Sequence, residues 1–307
     1  MKGSLAHRSV GIKLLTLLLL AITGFIVFSS LALLLIKSLY GIGSTELYDV
    51  LTAGGNSVSS GAVRLMQGLN TVGIFLFPAL MGAYLFSNDP EKFLKIDRWP
   101  QPFAISLILL AAIAYGIGPA TDLIYRWVES WQLAERLPWL KSLYSDNEEL
   151  LIRQYELMLQ MGSPAEFVQV LLTMAVLPAV AEEALFRGVV QPLIRKSAGI
   201  HLAVWITATL FALLHQQLNA LLPILFLGAV LGYLRAWSRS LWVPTVLHLL
   251  NNGLIVVGVY FFDLSYRDIL ESAGAEEMGE AGTYWPVLLL LAGLVGFWLW
   301  SRNKKTA

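Results

Sequence analysis

The chain contains no cysteine, so it has no disulfide, no thiolate nucleophile and no thiolate-held metal. It is also short of charge: Asp, Glu, Lys and Arg make up 14% of its 307 residues, against roughly 25% in an ordinary soluble domain. The 21 basic and 21 acidic residues cancel, leaving no global field to recruit nucleic acid. Familiar catalytic signatures are missing too. There is no His-Glu-x-x-His, no Gly-x-Ser-x-Gly, no phosphate-binding Gly-rich loop and no paired-aspartate membrane motif.

What the chain has in abundance is apolar sequence, at 57% hydrophobic residues and a mean hydropathy of +0.66. Apolar runs of about 20 residues mark membrane-crossing helices. Eight candidates lie near 13–36, 66–86, 103–124, 166–190, 199–218, 219–236, 240–262 and 284–301. The expected fold is an all-α polytopic bundle of about eight transmembrane helices, in the cell membrane. The first run, Leu14 to Ile36, is longer than the roughly 7 to 15 residues of a signal-peptide core and lacks an Ala-x-Ala site, so it reads as an uncleaved span. Placing the N-terminus inside puts 13 Lys/Arg in inside loops and seven outside, which predicts that both termini are cytoplasmic. The organisation that follows is helices in 1–124, interfacial helices in 125–163, a helical core in 164–262, and an acidic loop with a last helix in 263–307.

Two capping boxes punctuate the middle of the chain. Ser145 precedes Glu148 by three residues, and Ser163 precedes Glu166 by three with Pro164 at the first helical position, so a helix should begin cleanly at Pro164. Trp127, Trp131 and Trp139, set among charged residues, suit an aromatic belt along the membrane surface.

The helix that begins at Pro164 runs into "AVAEEALFRGVVQ", where Glu182, Glu183 and Arg187 interrupt apolar sequence. A charge at the bilayer centre costs on the order of 3 kcal/mol, so three of them must face protein or trapped water. Glu183 and Arg187 are four apart, with the acid first, the favourable order for an ion pair. On a regular helix Glu182 lies about 100° from Glu183 and about 140° from Arg187. Glu183 is then neutralised by Arg187, and Glu182 is the carboxylate available for chemistry. The alternative is that all three form a structural network between helices, or that the span ends before them.

Two later spans carry the remaining polar groups. "FALLHQQLN" sets Phe211 and His215 one turn apart, and "HLLNN" does the same for His248 and Asn252. Pro178 and Pro244 stand four residues before Glu182 and His248, where each should free a carbonyl, Met174 or Ser240, and kink its helix. "GAVLG", Gly228 to Gly232, is a small-residue pattern that packs helices. Two Glu, two His, one Asn and one Arg are together a set that can activate water and stabilise an oxyanion.

Glu182-Glu183-x-x-x-Arg187, Phe211-x-x-x-His215 and His248-x-x-x-Asn252, in that order over roughly 165–260, resemble the CAAX protease and bacteriocin-processing family, the type II CAAX prenyl endopeptidases. The resemblance implies an intramembrane endopeptidase in which Glu182 and His215 hold and activate a water, while His248 and Asn252 form the oxyanion site. It implies no cofactor, with a zinc mechanism using the same residues ranked second. The partners it implies are the lipid bilayer and a membrane-associated peptide or protein, either the C-terminal tail of a prenylated protein or a leader peptide. Other readings of the same residues are a non-catalytic scaffold or bacteriocin self-immunity protein, and a transporter or proton relay. One expectation conflicts with the rest. Counted along straight helices, His215 lies about 24 Å beyond Gly199 and His248 about 12 Å beyond Ser240, which separates the histidines in depth.

Overall fold

The computed structural model describes residues 2–53, 60–97, 99–100, 103–132, 136, 150–218, 220–267, 269 and 279–303. Among the described residues the only regular secondary structure is helix. The elements are α1 (Val10–Tyr40), α2 (Ser44–Ala53), α3 (Ser60–Phe86), α4 (Pro90–Leu94), α5 (Phe103–Glu129) and α6 (150–159). They continue with α7 (Pro164–Leu214), α8 (Leu221–Ser238), α9 (Trp242–Phe262) and α10 (Gly279–Asn303).

Seven of these helices are long and apolar enough to cross a membrane: α1, α3, α5, α7, α8, α9 and the Trp285–Arg302 stretch of α10. The protein is an integral, multi-pass membrane protein. The sequence count of eight separates two spans near 190–199, where the structure has the single 51-residue α7. A straight helix of that length would extend about 76 Å, more than twice the ~30 Å hydrocarbon thickness. It is not straight. Gly199, at φ 78 and ψ 177, breaks it in a conformation that a side chain would strain.

The chain forms two compact units that interleave along the sequence, residues 1–94, 149–189 and 252–267 in the first and 95–148, 190–251 and 268–307 in the second. In the first unit α1 packs on α3 through Gly24 and Gly73, where a Cβ on either residue would run into the backbone of the other. Ser29 Oγ donates to Asn70 Oδ1 at 2.7 Å across the same contact. In the second unit Leu110 and Ile113 of α5, Leu231 of α8, Leu247 of α9 and Leu290 and Phe297 of α10 form a buried core. The Gly228–Gly232 pair packs helices, as its pattern predicts: a Cβ at Gly228 would sit 3.2 Å from Ala208, and one at Gly232 3.0 Å from Val204.

Among the described residues three stretches are wound as π-helix, Val72–Leu76 in α3 and Leu171–Val176 and Ala184–Val190 in α7. A proline stands two residues past the end of each: Pro78, Pro178 and Pro192. Proline lacks the N–H for the ordinary helical bond and crowds the carbonyl four residues back. Here the wider turn accommodates it, with Phe77 N–H donating to Val72 O and Leu177 N–H to Leu172 O, each five residues back.

Several sequence expectations change. Pro244 lies in the first turn of α9 and not in its interior, a position where no helical donor is lost, and the Ser240 carbonyl accepts from Ser238 Oγ at 3.1 Å. Lys13 in α1 and Arg64 in α3 are buried cations, 5% and 1% exposed. Lys13 Nζ donates to Ala6 O at 2.6 Å and lies over the Phe86 ring. Trp127 and Trp131 meet edge to face at 4.5 Å. The Ser145–Glu148 box, Trp139 and the acidic residues Asp268, Glu271, Glu276 and Glu277 lie outside the described residues, as does the side chain of Glu280.

Candidate active site

The polar helix starts as its sequence predicts. Ser163 caps α7, its hydroxyl accepting the Glu166 N–H at 3.3 Å, while Glu166 Oε2 reaches back to the Gly162 N–H at 2.7 Å. These bonds satisfy N–H groups that a helix start otherwise leaves bare. From this fixed origin α7 carries Glu182 and Glu183 at the end of its Leu177–Glu183 segment and Arg187 in the following π-helix.

Glu183 and Arg187 form an ion pair of 2.7 Å with both side chains fully buried. The pair closes although Arg187 sits in a π turn, whose wider spacing departs from the regular wheel used to anticipate it. Two charges at this depth persist because each is neutralised and hydrogen-bonded by the other. Glu182, one residue earlier, is 9% exposed.

Two more polar side chains belong to the same unit. Asn252 Nδ2 on α9 donates to Met174 O at 3.4 Å, so the carbonyl that Pro178 deprives of its helical donor is met from another helix. Tyr155 on α6 stacks on Tyr266 with ring centroids 4.6 Å apart and planes 17° from parallel. Burial, and secondarily the negative charge of Glu182, push the Tyr155 hydroxyl up to about 12. It is therefore an un-ionised donor throughout the physiological range.

In the second unit the two histidines share one aromatic ring. Phe211 lies 4.6 Å from the His215 ring and 5.8 Å from the His248 ring, the latter edge-on at 81°. The separation in depth computed from straight helices therefore does not hold. Gly199 breaks the first helix, and its helical run ends at Leu214, one residue before His215. His215 Nδ1 lies 2.8 Å from Phe211 O. A carbonyl only accepts, so Nδ1 carries a proton, and the tautomer with that proton presents Nε2 as an acceptor. His248 is 3% exposed and stands one turn before Asn252 on α9.

Glu182, His215 and His248 are the side chains whose chemistry suits a zinc ion. Among the described residues no three His, Asp or Glu side chains are grouped to hold a metal. His201 pairs with Tyr233 OH at 2.9 Å.

Neither the buried contacts of Arg64 nor the ring stack of Tyr155 was legible in the sequence. Arg64 shows in the sequence only as a lone cation just before an apolar run, and Tyr155 as one aromatic in the amphipathic "LLIRQYELML".

Residues 164–254 match the family model described as "Type II CAAX prenyl endopeptidase Rce1-like". No curated protein matches the chain, and no solved structure does. Residues 164–254 are thus similar to a type II CAAX prenyl endopeptidase Rce1-like domain, and they lie in a chain with seven helices long and apolar enough to cross a membrane.

Proposed function

We propose that the Rce1-like domain hydrolyses a peptide bond in a membrane-associated peptide, with Glu182 as the base that activates water. Glu182 takes a proton from the water, whose oxygen attacks the peptide carbonyl carbon. His215 Nε2 accepts the water's other hydrogen bond and orients it. His248 and Asn252 donate to the carbonyl oxygen as it becomes an oxyanion. The C–N bond then breaks as the proton taken by Glu182 passes to the departing amine, so base and acid are one group.

The observation that carries this reading is the division between adjacent carboxylates: Arg187 is bonded to Glu183 at 2.7 Å in a fully buried pair, one residue from Glu182. Neutralising one acid structurally and keeping its neighbour for chemistry is how two identical groups acquire different roles. The His215 tautomer adds support, since its bond to Phe211 O leaves Nε2 as the acceptor. No metal enters the proposed steps.

The proposed substrate is either the C-terminal tail of a prenylated protein or a leader peptide, presented by the lipid bilayer itself. Purified protein in lipid vesicles, offered a prenylated C-terminal peptide and an unlipidated leader peptide, tests both. Cleavage of one by the wild type and of neither by Glu182→Gln is the expected result. Equal cleavage by the two proteins would overturn the role of Glu182.

A further inference from the structure

Residues 190–251, all in the second compact unit, hold four Lys/Arg and no Asp or Glu. Arg235 is 8% exposed, while Arg195, Lys196 and Arg239 are exposed. Among the described residues none forms an ion pair with those three.

The packing gathers them at one end of a helical hairpin. After Gly199 the second half of α7 runs antiparallel to α8, since a Cβ at Gly228 would meet Ala208 and one at Gly232 would meet Val204. Closer to the end, His201 Nδ1 and the Tyr233 hydroxyl are hydrogen-bonded at 2.9 Å. From the other side of the break, Gln191 Nε2 donates to Gly232 O at 2.9 Å. Arg195 and Lys196 follow Gln191 by one turn and precede Gly199, so they stand in the bend beside the last turn of α8. Arg239 caps that turn. Its backbone, at φ 55 and ψ 25, is in the left-handed conformation that a helix cap ordinarily reserves for glycine. The helix dipole favours a cation here, but Arg235 already supplies one from within the last turn, without that strain.

The depth of this end is marked independently. The Tyr233 ring stacks on Trp237, one turn later, at 5.3 Å and 27°, and the His201 ring lies 5.7 Å from Tyr233. At the start of α9, Trp242 is 41% exposed and donates its indole N–H to Ile96 O at 2.9 Å. Half-exposed rings with a polar edge settle at the headgroup level of a bilayer. The segment that meets Trp242 brings one acid to this end, Asp97, together with Lys95, whose carbonyl accepts the Leu241 N–H at 3.0 Å.

We propose that Arg195, Lys196 and Arg239 form a binding site for the phosphate of an anionic phospholipid, in the leaflet that this end of α8 faces. Guanidinium groups take phosphate oxygens through paired hydrogen bonds, and long cationic side chains reach the headgroups from a helix end. The rings at the same level make the ligand a lipid rather than a dissolved anion, because a lipid's acyl chains hold its phosphate at that depth. A seated headgroup fixes the depth of the hairpin whose other end carries His215. Binding needs no hydrolysis, so its test stands apart from the function proposed above.

Full-length protein in non-ionic detergent, stripped of lipid, is melted with added phosphatidylglycerol, with phosphatidylcholine of the same acyl chains, and with inorganic phosphate. Phosphatidylglycerol should raise the wild-type midpoint by about 3 °C or more above that with phosphatidylcholine, and inorganic phosphate should not. Equal midpoints with the two lipids overturn the proposal, and an equal rise with inorganic phosphate overturns the lipid as the ligand. Combining Arg195→Gln, Lys196→Gln and Arg239→Gly removes the three charges with a glycine that suits the left-handed cap. The rise should then fall to less than half. Combining Lys2→Gln, Arg8→Gln and Lys92→Gln, exposed cations of the first unit, changes the net charge equally and should keep the wild-type rise. An undiminished rise in the first variant, or an equal loss in the second, overturns the site.

Discussion

The amide nitrogen of Asn252 donates to the Met174 carbonyl at 3.4 Å, and Met174 is the residue whose helical donor is missing because position 178 is proline. A proline in the glutamate-bearing helix and a polar residue on α9 thus meet in one contact. The proposed oxyanion role would have Asn252 leave this long bond for a substrate oxygen. Removing one oxyanion donor typically costs about a hundredfold or more in turnover. Asn252→Ala should show that loss in kcat with KM little changed, because the interaction strengthens as charge develops on the oxygen. A rise in KM alone would place Asn252 in substrate binding instead.

The adjacent carboxylates should behave oppositely in unfolding experiments. Arg187→Ala strands the Glu183 charge at a fully buried site, an outcome worth about 3 to 5 kcal/mol. Glu182→Gln is nearly isosteric and should leave the thermal midpoint in detergent near that of the wild type. If Glu182→Gln unfolds early and Arg187→Ala does not, the roles of the two acids are exchanged.

Tyr155 links stability to alkaline pH. Its folded-state value, pushed up to about 12, lies above the ordinary tyrosine value of about 10. Its contribution is therefore complete below pH ~10 and is lost as pH rises through ~12, because the unfolded chain ionises first. Denaturant titrations between those limits should show a smaller pH slope for Tyr155→Phe than for the wild type. Equal slopes would contradict the raised value.

Topology supplies an independent check on the Lys/Arg asymmetry. Reporter fusions after Arg98 and after Gly274 should read cytoplasmic and external respectively. The opposite result for either would overturn the proposed orientation, which puts both termini in the cytoplasm and requires α7, broken at Gly199, to cross the membrane twice.

Local interactions were legible in the sequence because their partners are close in the chain. The Ser163–Glu166 cap and the Glu183–Arg187 pair span three and four residues, and each closes as its spacing predicts. Pro178 also announced itself, yet its consequence did not. The freed Met174 carbonyl finds its donor 78 residues away, and the backbone adapts by π winding, which leaves no mark in hydrophobic periodicity. Arg64 was hidden for a related reason: near the edge of an apolar run a lone arginine reads as a loop charge, and its acceptors lie 94 to 105 residues on. The straight-helix depth of His215 failed at Gly199, because a single residue at positive φ redirects everything after it.

Chelation separates the two chemistries open to the same side chains. With Glu182 as base, cleavage should survive exhaustive removal of divalent metal, and Asn252, a poor zinc ligand, should still be needed. Loss of activity on stripping metal, restored by zinc, would mean that Glu182, His215 and His248 act as ligands.

The proposed function requires Glu182 to drive the cleavage of peptide bonds in the membrane. The most direct test compares peptide termini across the membrane proteomes of cells carrying the wild type or Glu182→Gln at equal abundance. A discrete set of termini present with the wild type and absent with Glu182→Gln is the predicted result. Identical sets would contradict it.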